Sequence, residues 1–463
     1  MNELLQRSPI DQVPAHTGEL VQIETSTPVK LVPSRYNARA VTGDGSLVLW
    51  NSYSGSMSRF GSGLRPQVEQ LLGREGVASE PSRLIKYLVE RGFLVPHGTD
   101  EYRRVQVMAG EQHYRRDKLE LILLASEDCN FRCAYCYEDF ARGTMQLEVR
   151  ERIKKLVSKR IRSLSAFNVS WFGGEPLYGL AAIEDLAPFF LEICQANGVQ
   201  YGTHMTTNGY LLDEKTADKL FRWNIREFQI TLDGLPEDHD RNRPARDGSG
   251  TFHTIMGNLQ SLHTRKEDFH VAIRVNYDQV NAAGLPKMIE GLAAQFADDP
   301  RFSVHFHPVG RWGGPNDENL AICGTDERRK VTNELRATAQ QLGLRQRDLR
   351  SYAFPGRQVC YAARPFNFIV GADGKLMKCT ILLDKKDYNV VGRIKDDGDL
   401  ELDPDRFSLW VAPAFEQDSG CRKCQLLPSC QGMSCPLVRI EEHVAPCPSN
   451  KANLRNELLA TSL

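Results

Sequence analysis

The sequence predicts an α/β fold: a partial barrel of six strand–helix units, with a small domain before it and a cysteine-rich domain after it. Three observations predict this. Strand-like runs and helical patterns alternate six times between residues 117 and 310. The preceding stretch reads as strand, strand, helix, helix, strand. Seven of the twelve cysteines fall between 360 and 447. Repeated strand-then-helix units imply parallel strands with helices on the outer face. Six in a row suit an incomplete, TIM-like (β/α)6 barrel, with chemistry at the carboxyl ends of its strands. The boundaries fall at 1–115, 116–315, 316–354 and 355–463, the third segment being a charged helical bridge.

Each element has its own signal. VPSRYNARAV and SLVLWNSYS read as strands joined by a Gly-containing turn at residues 42–46. RPQVEQLLGREG reads as a short helix stopped by Gly. SEPSRLIKYLVERGFLVP reads as a Ser-started helix with Pro in its first turn, ending at Gly before a GFLV strand. Together these make a small winged-helix-like domain. The barrel strands are LELILLAS, FNVSWFGG, YGTHMTTNG, EFQITLDG, HVAIRVNYD and FSVHFHPVG. The last segment lacks long apolar runs, so it is expected to fold around metal.

Net charge is −1, with 25% charged and 41% hydrophobic residues. That balance gives no footprint for nucleic acid or an anionic membrane. No apolar run approaches the roughly 18 residues of a membrane span. MNELLQRSPIDQ lacks the basic start and apolar stretch of a signal peptide. The expected location is cytoplasmic. Clustered cysteines in a reducing compartment point to metal or catalysis rather than disulfides.

Cys129, Cys133 and Cys136 form a CxxxCxxC tripod directly after the first barrel strand. Such a tripod gives three thiolates to one [4Fe–4S] cluster and leaves one iron open. An open iron can chelate the amino and carboxylate groups of S-adenosylmethionine (SAM). Tyr135 puts an aromatic ring inside the turn, where an adenine could stack. The tripod alone leaves a structural zinc site open, with a fourth ligand from elsewhere.

CNFRCAYCY resembles the signature of the radical SAM superfamily. Gly173, Gly174, Glu175 and Pro176 resemble its GGEP segment. The resemblance implies that this backbone and Glu175 receive the SAM amino group. Paired glycines also permit close approach of backbone to a ligand. Thr206-Thr207-Asn208-Gly209 and Thr231-Leu232-Asp233-Gly234 resemble segments that bind the SAM ribose and carboxylate. By the same resemblance Arg243 partners the SAM carboxylate, and Arg274 and Asn276 are placed alike. The implied chemistry is a 5′-deoxyadenosyl radical that abstracts hydrogen from carbon. An external one-electron reductant such as flavodoxin or ferredoxin is implied with it.

The run Cys360, Cys379, Cys421-x2-Cys424-x5-Cys430-x4-Cys435 and Cys447 resembles the SPASM domain. That domain carries two auxiliary [4Fe–4S] clusters, giving three in all. The resemblance assigns Cys421, Cys424, Cys430 and Cys447 to the distal cluster, and Cys360, Cys379 and Cys435 to the proximal one. The family has three residues before the last cysteine of the run, whereas this chain has four, 431–434. Cys323 is one candidate for a fourth proximal ligand. Another possibility is an open iron for a substrate thiolate. Taken alone, the CxxC runs also fit zinc knuckles. Cys194 sits on an apolar helical face and reads as a structural thiol.

SPASM proteins mostly modify peptides. The N-terminal pattern resembles the precursor-recognition element of ribosomal-peptide pathways, which pairs an extended leader with a sheet edge. The expected function is therefore a peptide maturase that installs a thioether or carbon-linked crosslink on a ribosomally synthesised precursor. One alternative is an anaerobic sulfatase-maturing enzyme. In that family an Asp follows the cysteine aligned with Cys379, and here the residue is Thr380. Another is a metal-stabilised peptide-binding protein without catalysis. No residue identifies itself as the catalytic acid or base.

Overall fold

A computed structural model describes residues 30–73, 82–346, 349–413 and 415–461. The N-terminal dodecapeptide, and the Ser79 and Pro81 of the expected helix start, lie outside the described residues. Ser82 caps that helix instead, its hydroxyl accepting from Ile85 N at 3.2 Å.

The N-terminal part builds strands β1 (Leu31–Pro33), β2 (Asn37–Val41), β3 (Leu47–Asn51), β4 (Met57–Phe60) and β5 (Leu94–Pro96). The turn between β2 and β3 closes with Thr42 N on Ser46 O at 2.9 Å. β2, β3 and β4 form an antiparallel sheet, and β1 pairs with β5. Strand β4 and the helix Glu101–His113 are additional to the expected elements. MSRF is too short and mixed to show a period, and EYRRVQVMAGEQH has too weak an apolar stripe. Leu47, Leu49, Val68, Leu88 and Phe93 give this part its own core.

The barrel follows. Its strands are β6 (Lys118–Ser126), β7 (Ala166–Gly173), β8 (Gln200–Thr207), β9 (Glu227–Thr231), β10 (His270–Tyr277) and β11 (Phe302–Pro308). They lie in sequence order, every neighbour parallel. β7 shows why the faces differ. Phe167, Val169 and Trp171 are buried against the outer helices, while Asn168, Ser170 and Phe172 alternate to the other face. The helices Leu147–Arg160, Leu180–Asn197, Phe252–His263 and Leu285–Phe296 supply the outer layer through Ile153, Leu186, Leu259 and Leu292. Cys194 is fully buried there, as expected of a structural thiol.

The C-terminal third is not held by loops alone. β12 (Asn367–Val370) pairs in parallel with β6, matching Asn367 to Glu120 and Val370 to Leu123. β13 (Lys375–Met377), β14 (Val390–Ile394) and β15 (Leu400–Leu402) continue from it antiparallel, making one ten-stranded sheet. The expectation that this segment folds only around metal is corrected here. NFIV is short, but all four residues are buried and the run docks on an existing edge.

The N-terminal part packs against this C-terminal third. Val48 and Trp50 share a core with Leu349, Leu426, Leu454 and Leu458. Trp50 Nε1 donates to Ala353 O at 3.2 Å, and the Ser52 hydroxyl donates to Gln425 O.

Candidate active site

The carboxyl ends of β6 to β10 converge on one mouth. Each end hands over to the residues the sequence singles out: Cys129 after β6, Glu175 after β7, Asn208 after β8, Asp233 after β9, and Asn276 within the last turn of β10.

The loop after β6 crosses directly over the one after β7. A Cβ on Gly173, whose φ is +123°, would stand 2.1 Å from Ser126 O, and one on Gly174 would stand 2.6 Å from Asp128 O. The glycines thus make room for the cysteine loop itself, correcting the expectation that they admit a ligand. Replacing Gly173 by Ala is expected to cost about 1–3 kcal/mol by overpacking, read as a lower urea midpoint.

Glu175 is fully buried and ties three strand ends together. Its Oε1 accepts from Leu177 N at 2.9 Å and the Thr207 hydroxyl at 2.7 Å, and its Oε2 accepts from Asn208 N at 2.7 Å. A carboxylate has about four acceptor positions, so one remains on Oε2. The Asn208 amide reaches Asn130 Oδ1 at 2.8 Å and Cys129 Sγ at 3.8 Å. Thr231 is buried at the end of β9.

A buried polar cluster lies beside the tripod. The Tyr135 hydroxyl donates to Asp233 and accepts from Arg243 at 2.8 Å and Asn276 at 3.0 Å. The other Asp233 oxygen accepts from Asn276 N at 3.1 Å. His239 closes the cluster from behind. Its Nδ1 accepts from Asp233 N at 3.1 Å and its Nε2 meets the Thr251 hydroxyl at 3.1 Å. The short helix Pro236–Asn242, which carries His239, is absent from the sequence reading. Its PEDHDRN has no apolar face to reveal it.

Burial, with Arg243 nearby, presses the His239 imidazole down to about 2. The ordinary value near 6.5 applies once the chain unfolds, so the unfolded chain takes up a proton that the folded one refuses. Stability is therefore lost as pH falls from about 6.5, at up to about 1.4 kcal/mol per pH unit for this residue. Urea titrations at pH 7 and 5 should show a smaller acid loss in His239→Gln than in the natural chain.

The cysteines gather as the spacing implies. Cys129 feels the charges of Cys133 and Cys136. Cys360 feels Cys379 and Cys435, and Cys430 feels Cys421, Cys424 and Cys447. Among the described residues, no three His, Cys, Asp or Glu side chains converge on a single metal-ion position. Burial pushes Cys136, Cys360 and Cys430 each up to about 12, and Cys129 and Cys133 also upward. Buried thiols that repel one another ionise only against positive charge, which iron supplies. That donor chemistry fits iron–sulfur clusters. Arg243 Nε and Asn242 Nδ2 are buried without a partner beside the tripod, which fits an acidic ligand there. Cys323 keeps other company, with Glu327 and Asp278 as its charged neighbours.

Residues missed by the sequence reading hold these cysteines in place. Asn389 Oδ1 accepts from Lys378 N at 3.2 Å and Cys379 N at 2.8 Å. Arg142 bridges Glu127 at 2.5 Å and Asp384 at 2.6 Å, pinning the tripod loop to the C-terminal third. Glu138 is buried with Oε2 unpaired, and burial with Glu127 and Asp139 nearby pushes its carboxyl up to about 8.

Residues 123–283 match the radical SAM superfamily model. The chain is 31% identical over 166 residues to a cysteine-type anaerobic sulfatase-maturating enzyme of Clostridium novyi, covering 34% of this chain and 43% of that one. It therefore spans less than half the length of that relative. It is 22% identical over 325 residues to a serine-type anaerobic sulfatase-maturating enzyme of Klebsiella aerogenes, covering 66% and 77%. Among solved structures, anSMEcpe with bound AdoMet and the Cp18Cys peptide shares the fold. Its TM-score is 0.55 at 20% identity, over 74% of this chain and 95% of that one. Residues 123–283, from within β6 to just past β10, are a radical SAM domain, and the chain is a radical SAM enzyme.

Proposed function

We propose that the chain is a SPASM-type radical SAM maturase that modifies a ribosomally synthesised precursor peptide, closing a thioether or carbon-linked crosslink. Cys129, Cys133 and Cys136 would hold the SAM-binding cluster. Cys360, Cys379 and Cys435 would hold the proximal auxiliary cluster, and Cys421, Cys424, Cys430 and Cys447 the distal one. Bound there and reduced by flavodoxin or ferredoxin, cluster and SAM supply a 5′-deoxyadenosyl radical that abstracts hydrogen from carbon. Around it, Glu175 offers its remaining acceptor to the SAM amino group and Arg243 its free Nε–H to the SAM carboxylate.

The N-terminal part carries the peptide reading. It has its own core and docks on the segment of Cys421 and Cys424, through Leu426 and Gln425. Strand β4 is the last strand of its sheet, and an edge of this kind takes up an extended leader by strand addition. The test is anaerobic reconstitution, iron counting and 5′-deoxyadenosine production, followed by co-expression with a short precursor encoded nearby. Loss of two hydrogens from the peptide is expected. Zinc in place of iron, with no SAM cleavage, would sink the proposal.

The sulfatase-maturating relatives favour a second reading, formylglycine formation. Thr380 argues against it, because its hydroxyl is shared with Tyr361 at 2.7 Å and a hydroxyl is no carboxylate base. A Cys- or Ser-containing sulfatase-type peptide converted to formylglycine would decide for the second reading.

A further inference from the structure

We infer that the seam between β11 and the C-terminal third is a binding site for an extended polypeptide main chain. The barrel is incomplete, and β11 is the last strand of the sheet. A cavity of about 390 Å³ lies along that edge, between Phe306 on one side and Gln358 and Asn450 on the other. That volume falls within the ~300–1,000 Å³ of ordinary ligand sites.

The main-chain edge is open at one residue. Val304 N points away from β10 and donates to Arg345 O at 2.8 Å. Strand alternation turns the N–H and C=O of Phe306 to the same side. Among the described residues no backbone or side-chain partner meets them there. Opposite, both amide atoms of Asn450 and the Nε2 of Gln358 are buried without a partner. Asn450 reaches toward the Tyr352 hydroxyl without completing a bond, and that hydroxyl is already held by Glu457 at 2.7 Å. Unpaired buried polar atoms are costly, so a cavity that gathers several of them calls for a ligand that pairs them.

The ligand's chemistry follows from the groups left open. They are neutral, and they include both donors and acceptors. Arg336 is already neutralised by Glu457 at 2.5 Å, so it offers no unmatched charge for a phosphate or carboxylate. A side-chain amide with a free donor and a free acceptor matches one peptide unit, which presents one C=O and one N–H. A strand edge with a free N–H and C=O matches the next. The inference rests on the reading of the substrate as a peptide. It adds a second place of grip on that peptide, separate from the β4 edge.

The test uses the reconstituted full chain. Capped decapeptides are selected from an mRNA-displayed library, and the enriched sequences are measured by fluorescence anisotropy. Asn450→Leu is expected to weaken binding about tenfold, the worth of roughly 1.4 kcal/mol in hydrogen bonds. Phe306→Pro removes only an outward N–H, which an edge strand tolerates. It should also weaken binding, relative to Phe306→Ala. Bound peptide should slow deuterium exchange at the Phe306 amide. Circular dichroism and iron content check that the variants are folded. Enriched peptides that bind both variants like the natural chain, or protect β4 and not Phe306, would overturn the inference, as would failure to enrich any peptide. Peptide held at Phe306 with no 5′-deoxyadenosine formed would leave this site standing and remove the proposed activity.

Discussion

Changing Cys129, Cys133 and Cys136 together to Ala is expected to reduce 5′-deoxyadenosine formation to the level without enzyme. Bound iron should fall from about twelve to about eight per chain, the share of one [4Fe–4S] cluster of three. Part of the effect is local. Cys129 Sγ accepts from Phe131 N at 3.3 Å and lies beside Asn208, so the loop is shaped around that sulfur. The rest is electronic, since only a thiolate set with an open iron can present SAM to a reductant. The informative comparison is with Cys421, Cys424 and Cys430 changed to Ala. Those variants should lose a similar amount of iron yet keep SAM cleavage without peptide. If the first triple variant still cleaves SAM at a tenth of the natural rate or more, the tripod is not the SAM site.

The second large effect is on stability. Arg243→Leu should lower the unfolding free energy by about 3–5 kcal/mol, because it strands a buried carboxylate. Asp233 is fully buried, and Arg243 lies 4.0 Å from it with the Tyr135 hydroxyl bonded to both. Burial raises the Asp233 carboxyl, and Arg243 is the foremost influence holding it down. Changing Asp233 to Asn in the same chain should recover a good part of the loss, which urea denaturation of the two variants would measure. Equal stability of the single and double variants would mean that the pair does not hold the mouth together.

The barrel was legible because its signals repeat. Each strand is a run of alternating or wholly apolar residues, and each helix between them shows an apolar stripe. The tripod and the glycine pair were legible because residue type and spacing are themselves the signal. What escaped depends on partners distant in sequence. Asp233 stands in a recognisable TLDG, but its place as hub follows only when Tyr135, Arg243 and Asn276 meet on it from three loops. Asn389 looks like any turn residue until the two backbone amides beside Cys379 are seen to point at it. β12 escaped because four residues carry no period, and its only assurance is the waiting edge of β6.

That pairing also orders events on the ribosome. β6 is the first barrel strand made, yet its outer neighbour arrives some 240 residues later, when residues 367–370 emerge. At roughly 5–20 residues per second, β6 stands as a bare apolar edge for about ten to fifty seconds in every nascent chain. An unpaired edge of this length is a template for pairing with other chains. Chains released before residue 367 should therefore aggregate, although all six barrel strands are present, while chains released after the β13 hairpin should stay dispersed. Solubility of the two truncations, made at equal expression, would show where the barrel first becomes safe from its neighbours.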